Sequence, residues 1–182
     1  MFRSIIKKLS ISNIKHSIQL QNFGIDSFYY PVKVYQNFFV LHNKFTYIIF
    51  KKSRANNVVH INITKVKNFK EIKNSIKHLQ TILQISRAFI VKSFIDNITI
   101  TGKLATEISL TKYIAVNSHF TIKYSPEKFP GLFVKIKTLG SIILFSSGSF
   151  IILGAKSKKK LLKLIDIVKI STKTCHVTNI CQ

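Results

Sequence analysis

The chain has 182 residues, of which 46% are hydrophobic and 12% aromatic, so it can form a packed core and bulk disorder is excluded. Its 29 Lys and Arg against 6 Asp and Glu give a formal net charge of +23, which indicates a polyanionic partner such as DNA, RNA or an anionic membrane. An A/T-biased genome is a second source of excess lysine, although that bias alone does not account for so few acids.

The first half of the chain predicts a series of strands followed by a helix. The basic N-terminal segment has no apolar run of the length that a secretory signal needs, so we expect none. SNIKHSIQL (Ser12 to Leu20) reads as extended, FFVLHNKFTYIIF as two strands around His42-Asn43, and NVVHINITKVK as another strand. Behind Asn68 as N-cap, apolar residues recur at helical spacing. They are Phe69, Ile72, Ile76, Leu79 and Leu83.

The second half repeats this order. DNITITGKL (Asp96 to Leu104) parallels the early extended segment, and SIILF and FIIL flank a Ser/Gly turn that predicts a β-hairpin. A helix with Ser157 as N-cap follows. The sixteen residues from Gly140 to Ala155 carry no charge, but a bilayer span needs roughly 20 apolar residues. We therefore expect no membrane segment.

The two halves together indicate an internal duplication. Asn13 and Asn97 each precede an Ile at the start of an extended segment, and close to half of the chain separates them. We predict repeat one at about 8–86, repeat two at about 87–171, and a short basic C-terminal tail at 172–182. Each repeat would contain a strand, a helical segment, a run of antiparallel strands and a long helix. The fold class is α+β, with the helices on one face of the sheet and a second face that is also apolar.

Neither the cysteines, the histidines nor the carboxylates form a pattern typical of a catalytic or metal site. Cys175 and Cys181 have a spacing that fits no zinc motif, and a reducing compartment is the default interpretation. The acidic residues are scattered, the histidines lack ligand spacing, and no glycine-rich phosphate loop follows a strand. We expect a protein that is not an enzyme and uses no cofactor, metal ion or small-molecule substrate.

One motif resembles a known family. YSPEKFPGLFVKIK followed by SIILFSSGSFIILGAKS is similar to the second repeat of TATA-box-binding proteins, and Asn97 falls at the matching distance before it. The first repeat is more degenerate: it keeps Asn13, the YIIF strand and NITKVKN. The resemblance implies a single domain over 1–171, in which two pseudo-symmetric repeats form one saddle-shaped sheet of about ten antiparallel strands. The helices would lie on its convex face and DNA on its concave face.

The resemblance also implies which residues meet DNA. Two pairs of phenylalanines would wedge between base steps of an A/T-rich minor groove and kink the duplex. The second-repeat pair is Phe129 and Phe145. In the first repeat Phe50 pairs with Phe38 or Phe39, of which we favour Phe38. The implied groove contacts are Asn13, Asn97, Thr99, Thr64, Ile151 and Leu153, and the implied phosphate contacts are Lys67, Lys156, Lys135 and Lys44.

Two positions depart from the family pattern, and one of them is Leu153, which replaces a usual threonine. Lys15 stands where the family usually has a valine on the DNA-facing strand, so either it reaches a phosphate or the register is shifted by one residue.

The family likeness sets the expected function and partners. We expect a monomer on promoter DNA that initiates transcription and recruits RNA polymerase and a protein similar to transcription factor IIB, the latter through Glu127. The alternative is an adaptor of the same fold that acts through protein partners or non-specific nucleic-acid binding without bending DNA. The expected location is the nucleus, or a cytoplasmic viral factory if the source is viral.

Overall fold

The computed structural model describes residues 5–21, 33–50 and 58–177. Within them it contains ten strands, three α-helices and a 3₁₀ turn at Arg87–Phe89. The strands are β1 (Ile6–Gln21), β2 (Lys33–Val34), β3 (Phe38–His42), β4 (Thr46–Phe50), β5 (Val58–Val66), β6 (Ile90–Leu104), β7 (Thr121–Ser125), β8 (Phe129–Ile136), β9 (Gly140–Leu144) and β10 (Ser149–Ala155), and the helices are α1 (Phe69–Leu83), α2 (Leu110–Val116) and α3 (Lys158–Thr172).

The strands form one ten-stranded sheet in the order β2-β3-β4-β5-β1-β6-β10-β9-β8-β7. The α+β class and the antiparallel sheet predicted from the sequence are confirmed. The two predicted hairpins are also confirmed, since β3 pairs with β4 and β9 with β10. A helical segment of repeat one, expected between its first strand and β3, would fall in 22–32, outside the described residues.

The chain divides into two compact units. Unit 1 comprises Met1–Ser12 and Asn97–Gln182, and unit 2 comprises Asn13–Asp96. The divisions fall inside β1 and β6, so each of these long strands contributes one part to each unit. The repeat boundaries at about 8–86 and 87–171 remain a prediction.

Unit 2 has its core between α1 and one face of its strands. Ile14, Ile18 and Leu20 alternate along β1 and are fully buried, because successive side chains of a strand point to opposite faces. The Tyr47 hydroxyl lies 3.0 Å from the Ser75 carbonyl oxygen and 2.8 Å from His78 Nδ1, both on α1. These contacts place α1 over the odd-numbered residues of β4.

The N-terminus of α1 is capped as the sequence predicts. The Glu71 N–H donates to the Asn68 side chain at 3.0 Å, and the Glu71 carboxylate accepts from the Lys67 N–H at 2.8 Å. This reciprocal arrangement satisfies the Glu71 N–H of the first helical turn and the Lys67 N–H just before the N-cap. It also fixes the position of Lys67, immediately before the helix.

Unit 1 has a core of the same type. Ile98, Ile100, Phe150 and Ile152 are buried, and α3 packs on β9 and β10. A Cβ at Gly102 would lie 2.2 Å from the tip of the Phe150 ring, so the glycine provides the space for that ring. Ser157 caps α3 by accepting from the Lys160 N–H at 3.2 Å, as predicted.

The first residues of the predicted tail pack against unit 1. Cys175 is fully buried and its carbonyl oxygen accepts from the Ser109 N–H at 2.9 Å. His176 forms an isolated antiparallel bridge with Ile108. Residues 178–182 lie outside the described residues. None of the helices in the described ranges has the length and apolarity to cross a bilayer.

Candidate nucleic-acid interface

Each unit has a sheet face opposite its helix, which we call the open face. In unit 1, Phe150 and Ile152 are buried beneath α3, so the alternating residues Ile151 and Leu153 lie on the open face. The ladder extends this face sideways, because Ile151 is opposite Ile143 and Ile143 is opposite Phe133. The open face of unit 1 is therefore largely apolar, although none of the helices in the described residues covers it.

The predicted wedge pair of unit 1 lies together on its open face. The ring centroids of Phe129 and Phe145 are 5.9 Å apart with an interplanar angle of 63°, and Phe129 is 39% exposed. Both rings lie over Gly131, where a Cβ would come within 2.4 Å of Phe129 Cε1 and 3.0 Å of Phe145 Cε1. Because Gly131 has no side chain, both rings can occupy the space above it on the strand.

A third aromatic residue, Phe133, extends this pair and was not predicted. Its ring centroid lies 5.2 Å from that of Phe129, and the side chain is 41% exposed. The signal was present in the sequence, because Phe129, Phe133 and Lys135 alternate along one strand and share a face.

In unit 2 the register distinguishes Phe38 from Phe39. Phe38 is opposite Phe50, with ring centroids 6.0 Å apart, whereas Phe39 is opposite Ile49, which is fully buried on the helix side. Phe38 and Phe50 therefore share the open face. Tyr35 stacks on Phe38 with centroids 4.6 Å apart, a contact that the sequence did not predict.

The two predicted groove asparagines make the same contact in both units. The Asn13 side-chain oxygen accepts from the Lys65 N–H at 2.9 Å, and the Asn97 oxygen accepts from the Gly154 N–H at 2.6 Å. Lys65 and Gly154 both have a left-handed backbone, with φ of 65° and 89°. Because a backbone N–H can only donate, the amide oxygen is assigned in each case. The amide NH₂ is then directed to other partners; that of Asn97 donates to Thr99 Oγ1 at 3.2 Å.

The remaining predicted groove residues are partly exposed. Thr99, Ile151 and Leu153 belong to unit 1, and Thr64 lies opposite Thr46 in unit 2. Lys15 lies between the buried Ile14 and His16 in β1. Since successive side chains of a strand point to opposite faces, Lys15 is on the open face of unit 2.

The predicted phosphate-binding lysines form one cluster and two separate sites. Lys135 and Lys156 line a cavity of about 320 Å³ together with Lys160, whose ammonium donates to the Thr138 carbonyl oxygen at 3.0 Å. Lys160 was not predicted. Lys67 precedes the N-cap of α1, and Lys44 lies in the β3–β4 turn with its ammonium 5.6 Å from the Phe45 ring centroid. Glu127, the predicted partner-binding acid, is exposed in the β7–β8 turn.

Comparison with known proteins finds a similarity to the same family over part of the chain. Residues 93–170 match the family described as "Transcription factor TFIID (or TATA-binding protein, TBP)". The TATA-box-binding protein of Thermococcus kodakarensis is 36% identical over 84 residues, covering 43% of either chain. That of Pyrobaculum neutrophilum is 33% identical over 100 residues, covering 53% of this chain and 50% of the relative. The chain thus spans about half the length of the curated relatives it matches.

A solved structure extends the likeness to the whole fold. The structure titled "Methanococcus jannaschii TBP" superposes with a TM-score of 0.72 over 91% of this chain and 98% of the other, at 21% sequence identity. At that identity the match shows that the fold is shared. It includes the first repeat, which lies outside the matched family segment.

Proposed function

Since the chain is a divergent relative of the TATA-box-binding proteins, we propose that it binds A/T-rich promoter DNA through the minor groove and kinks the duplex. Its role would be that of a transcription initiation factor acting as a monomer on DNA. No catalytic step is part of this proposal.

One observation carries the proposal: each unit presents a pair of phenylalanines on the face that its helix leaves open. Phe129 and Phe145 form one pair and Phe38 and Phe50 the other. Partly exposed aromatic pairs are unfavourable in water, and minor-groove proteins use such side chains to unstack base steps and bend the duplex. The presence of a pair in both units supports one kink for each unit.

The polar groups around the phenylalanines fit the same ligand. The amide NH₂ groups of Asn13 and Asn97 can donate to the A N3 and T O2 acceptors, which look alike in A·T and T·A pairs. The lysine cavity formed by Lys135, Lys156 and Lys160 can hold a phosphate. Together they support binding that prefers A/T-rich sequence without reading its exact order.

The protein partners follow from the same likeness. We propose that the β7–β8 turn, with the exposed Glu127, contacts a protein similar to transcription factor IIB, which then recruits RNA polymerase. An exposed turn with one carboxylate suits a basic partner surface. The proposed location remains the nucleus, or a viral factory for a viral source.

A titration with end-labelled duplexes tests the DNA proposal. The protein is added to an A/T-rich duplex and to a scrambled duplex, with energy transfer between end fluorophores reporting the bend. We expect preferential binding of the A/T-rich duplex, with bending that is lost in Phe129→Ala combined with Phe145→Ala. The matched control is Leu162→Ala with Ile170→Ala, because both residues are exposed hydrophobics of α3. The control variant should bind and bend as the parent does.

The opposite result would favour the adaptor. Salt-sensitive binding that is indifferent to sequence and to the Phe129 and Phe145 substitutions would exclude minor-groove bending. It would leave a protein of this fold that acts through other proteins or by non-specific nucleic-acid binding.

A further inference from the structure

A hydrogen-bonded polar cluster, formed by Ser17, Asn62 and Asp96, interrupts the open face of unit 2. Ser17 Oγ lies 2.6 Å from Asn62 Oδ1 and also contacts Asp96 Oδ2. Ser17 is buried at 5% exposure, whereas Asn62 and Asp96 remain partly exposed. Ser17 lies between His16 and Ile18, which are buried on the helix side, so its hydroxyl faces the opposite way. The Asp96 carboxylate reaches that side through its contact with Ser17 Oγ.

Among the described residues, the corresponding part of unit 1 has a smaller polar pair, in which Thr101 Oγ1 lies 3.2 Å from Ser10 Oγ. Asn62 in unit 2 corresponds to Ile151 in unit 1. Each precedes a lysine, Lys67 or Lys156, by the same number of residues. In the strand ladders Asn62 is opposite Ser17, and Ile151 is opposite Thr101. The interval that separates Asn13 from Asn97 also separates Ser12 from Asp96, so Ser12 of unit 1 corresponds to Asp96 of unit 2. Unit 2 therefore has an amide and a carboxylate where unit 1 has an isoleucine and a serine.

The hydrogen count of the cluster determines what it offers to a ligand. A serine hydroxyl has one proton to donate, and an ionised carboxylate can only accept. If Ser17 donates to Asp96, the Asn62 group that faces Ser17 must be the NH₂, since the two ends of an amide are assigned and not observed. The Asn62 oxygen then points away from Ser17. The Ser17 proton is then used inside the cluster, so the Asp96 and Asn62 oxygens offer acceptors, and the donor that remains is the second N–H of Asn62.

Acceptors on this face are poorly matched to an A·T pair. The minor-groove edge of A·T and T·A carries only acceptors, the A N3 and T O2 atoms, whereas a G·C pair adds the guanine N2 amino donor. The carboxylate lone pairs that Ser17 does not use find no donor on such a base pair, and the loss is larger in a groove from which water is excluded. A guanine amino group supplies the missing donor.

We propose that the Ser17–Asn62–Asp96 cluster recognises the N2 amino group of a guanine in the minor groove, so that unit 2 prefers a G·C pair at one position of an otherwise A/T-rich site. The inference rests on the proposed minor-groove binding and adds a specificity determinant to it. Asp96 is the direct acceptor, and Ser17 positions its carboxylate.

Base analogues isolate the amino group. One G·C pair is first moved stepwise through an A/T-rich duplex to locate the preferred position. At that position guanine is replaced by inosine, which lacks only the N2 amino group, and adenine by 2,6-diaminopurine, which adds it. We expect the two duplexes with the amino group to bind roughly tenfold tighter than the two without it.

Two variants assign the effect to the cluster. Asn62→Ile combined with Asp96→Ser copies the residues of unit 1 and should remove the preference while leaving the chain folded. Asp96→Asn preserves the shape but adds an NH₂ donor, and should shift the preference towards A·T. Circular dichroism and thermal unfolding of both variants verify that the fold is retained.

Each outcome decides the question. Equal affinity for guanine and inosine at every position, or a preference that persists in both variants, would overturn the inference. Bending of the all-A/T duplex that depends on Phe129 and Phe145 would still support the proposed function in that case. Absence of any bending, on every duplex, would overturn both.

Discussion

The side-chain oxygen of Asn97 is fixed by the backbone N–H of Gly154 at 2.6 Å. The same contact joins Asn13 to Lys65 in the other unit. A left-handed residue on the neighbouring strand supplies the donor in both cases. Each asparagine is therefore held by its oxygen. One amide proton of Asn97 goes to Thr99 Oγ1, and the second is the donor that the proposed groove contact requires.

Asn97→Asp separates the structural role of this side chain from its role in binding. Aspartate retains the oxygen that accepts from Gly154, so the free energy of unfolding should change by less than about 1 kcal/mol. It lacks the NH₂ donor, so affinity for an A/T-rich duplex should fall roughly tenfold. The added negative charge weakens binding to any DNA, and a scrambled duplex measures that part. Equal losses on both duplexes would contradict a groove contact by Asn97.

Phe38→Ala and Phe39→Ala should have opposite effects. Phe38 shares the open face with Phe50, so its removal should reduce DNA bending and change the free energy of unfolding by less than about 1 kcal/mol. Phe39 is opposite the buried Ile49, so its removal should cost about 1–3 kcal/mol of stability and spare bending in the protein that remains folded. Chemical denaturation and end-label energy transfer measure the two effects. If only Phe39→Ala abolished bending, Phe39 would be the residue that contacts DNA and Phe38 the structural one.

A methyl group at Gly131 should disturb the wedge pair without unfolding the chain. The new Cβ would meet the edges of the Phe129 and Phe145 rings, which can rotate away, and the Cγ2 methyl of the buried Ile143 at 2.8 Å, so bending should weaken with a stability loss of about 1 kcal/mol. Gly102→Ala is the contrasting change, because its Cβ would meet the buried Phe150 ring and should cost about 1–3 kcal/mol. Unchanged bending by Gly131→Ala would show that the paired geometry is dispensable.

The lysine cavity predicts a change in salt dependence. Each phosphate contact contributes about 0.9 to the slope of log K against log salt concentration, so Lys135→Gln and Lys156→Gln should each lower the slope by about that amount. Lys163→Gln, an exposed lysine of α3, serves as the control and should leave the slope unchanged. Binding isotherms at several salt concentrations provide the measurement. A slope that responds equally to all three substitutions would indicate diffuse attraction and no defined phosphate site.

His16 predicts a loss of stability in mild acid. It is 1% exposed, and neither ring nitrogen has a hydrogen-bond partner among the described residues. Burial lowers the pKa of its imidazole from 6.5 to about 4, and the nearby Asp96 charge opposes this shift. Between these values the unfolded chain binds the extra proton, so stability is complete above about pH 6.5 and falls by up to about 3 kcal/mol towards pH 4.

Substituting His16 by the residue of the other repeat tests this origin. His16→Ile copies Ile100, which is buried in unit 1 and is offset from His16 by the same number of positions as Asn97 from Asn13. The variant should be more stable, by about 1–3 kcal/mol, and should lose the pH dependence between about 4 and 6.5. His60→Gln, at an exposed position, is the control. An unchanged pH profile in His16→Ile would assign the acid sensitivity to another group.

The hairpins and both long helices were predictable because their signals are local. Asn68 and Ser157 accept from the N–H three residues ahead, as N-cap residues do, and the apolar spacing behind them matches a helix. Phe38 and Phe39 could not be separated by the sequence, since adjacent residues of a strand exchange faces when the register shifts by one. The ladder of β3 with β4 supplied what the sequence lacked.

Contacts between distant segments were not predictable from one sequence. Ser17 and Asp96 are separated by 79 residues and meet only because β1 and β6 are neighbours in the sheet. Lys160 joins Lys135 and Lys156 only through the packing of α3 on β9 and β10. In both cases the residue types were visible in the sequence, but their proximity depends on tertiary structure.

Asn62 in unit 2 and Ile151 in unit 1 occupy corresponding ladder positions, and this difference affects the orientation in which the protein would bind a duplex. Two chemically identical repeats would bind a duplex equally well in either orientation along its axis. A repeat that favours one guanine makes the two orientations unequal, and a difference of about 1.4 kcal/mol already favours one of them tenfold. This difference between the two units would then set the direction in which the protein lies along the template.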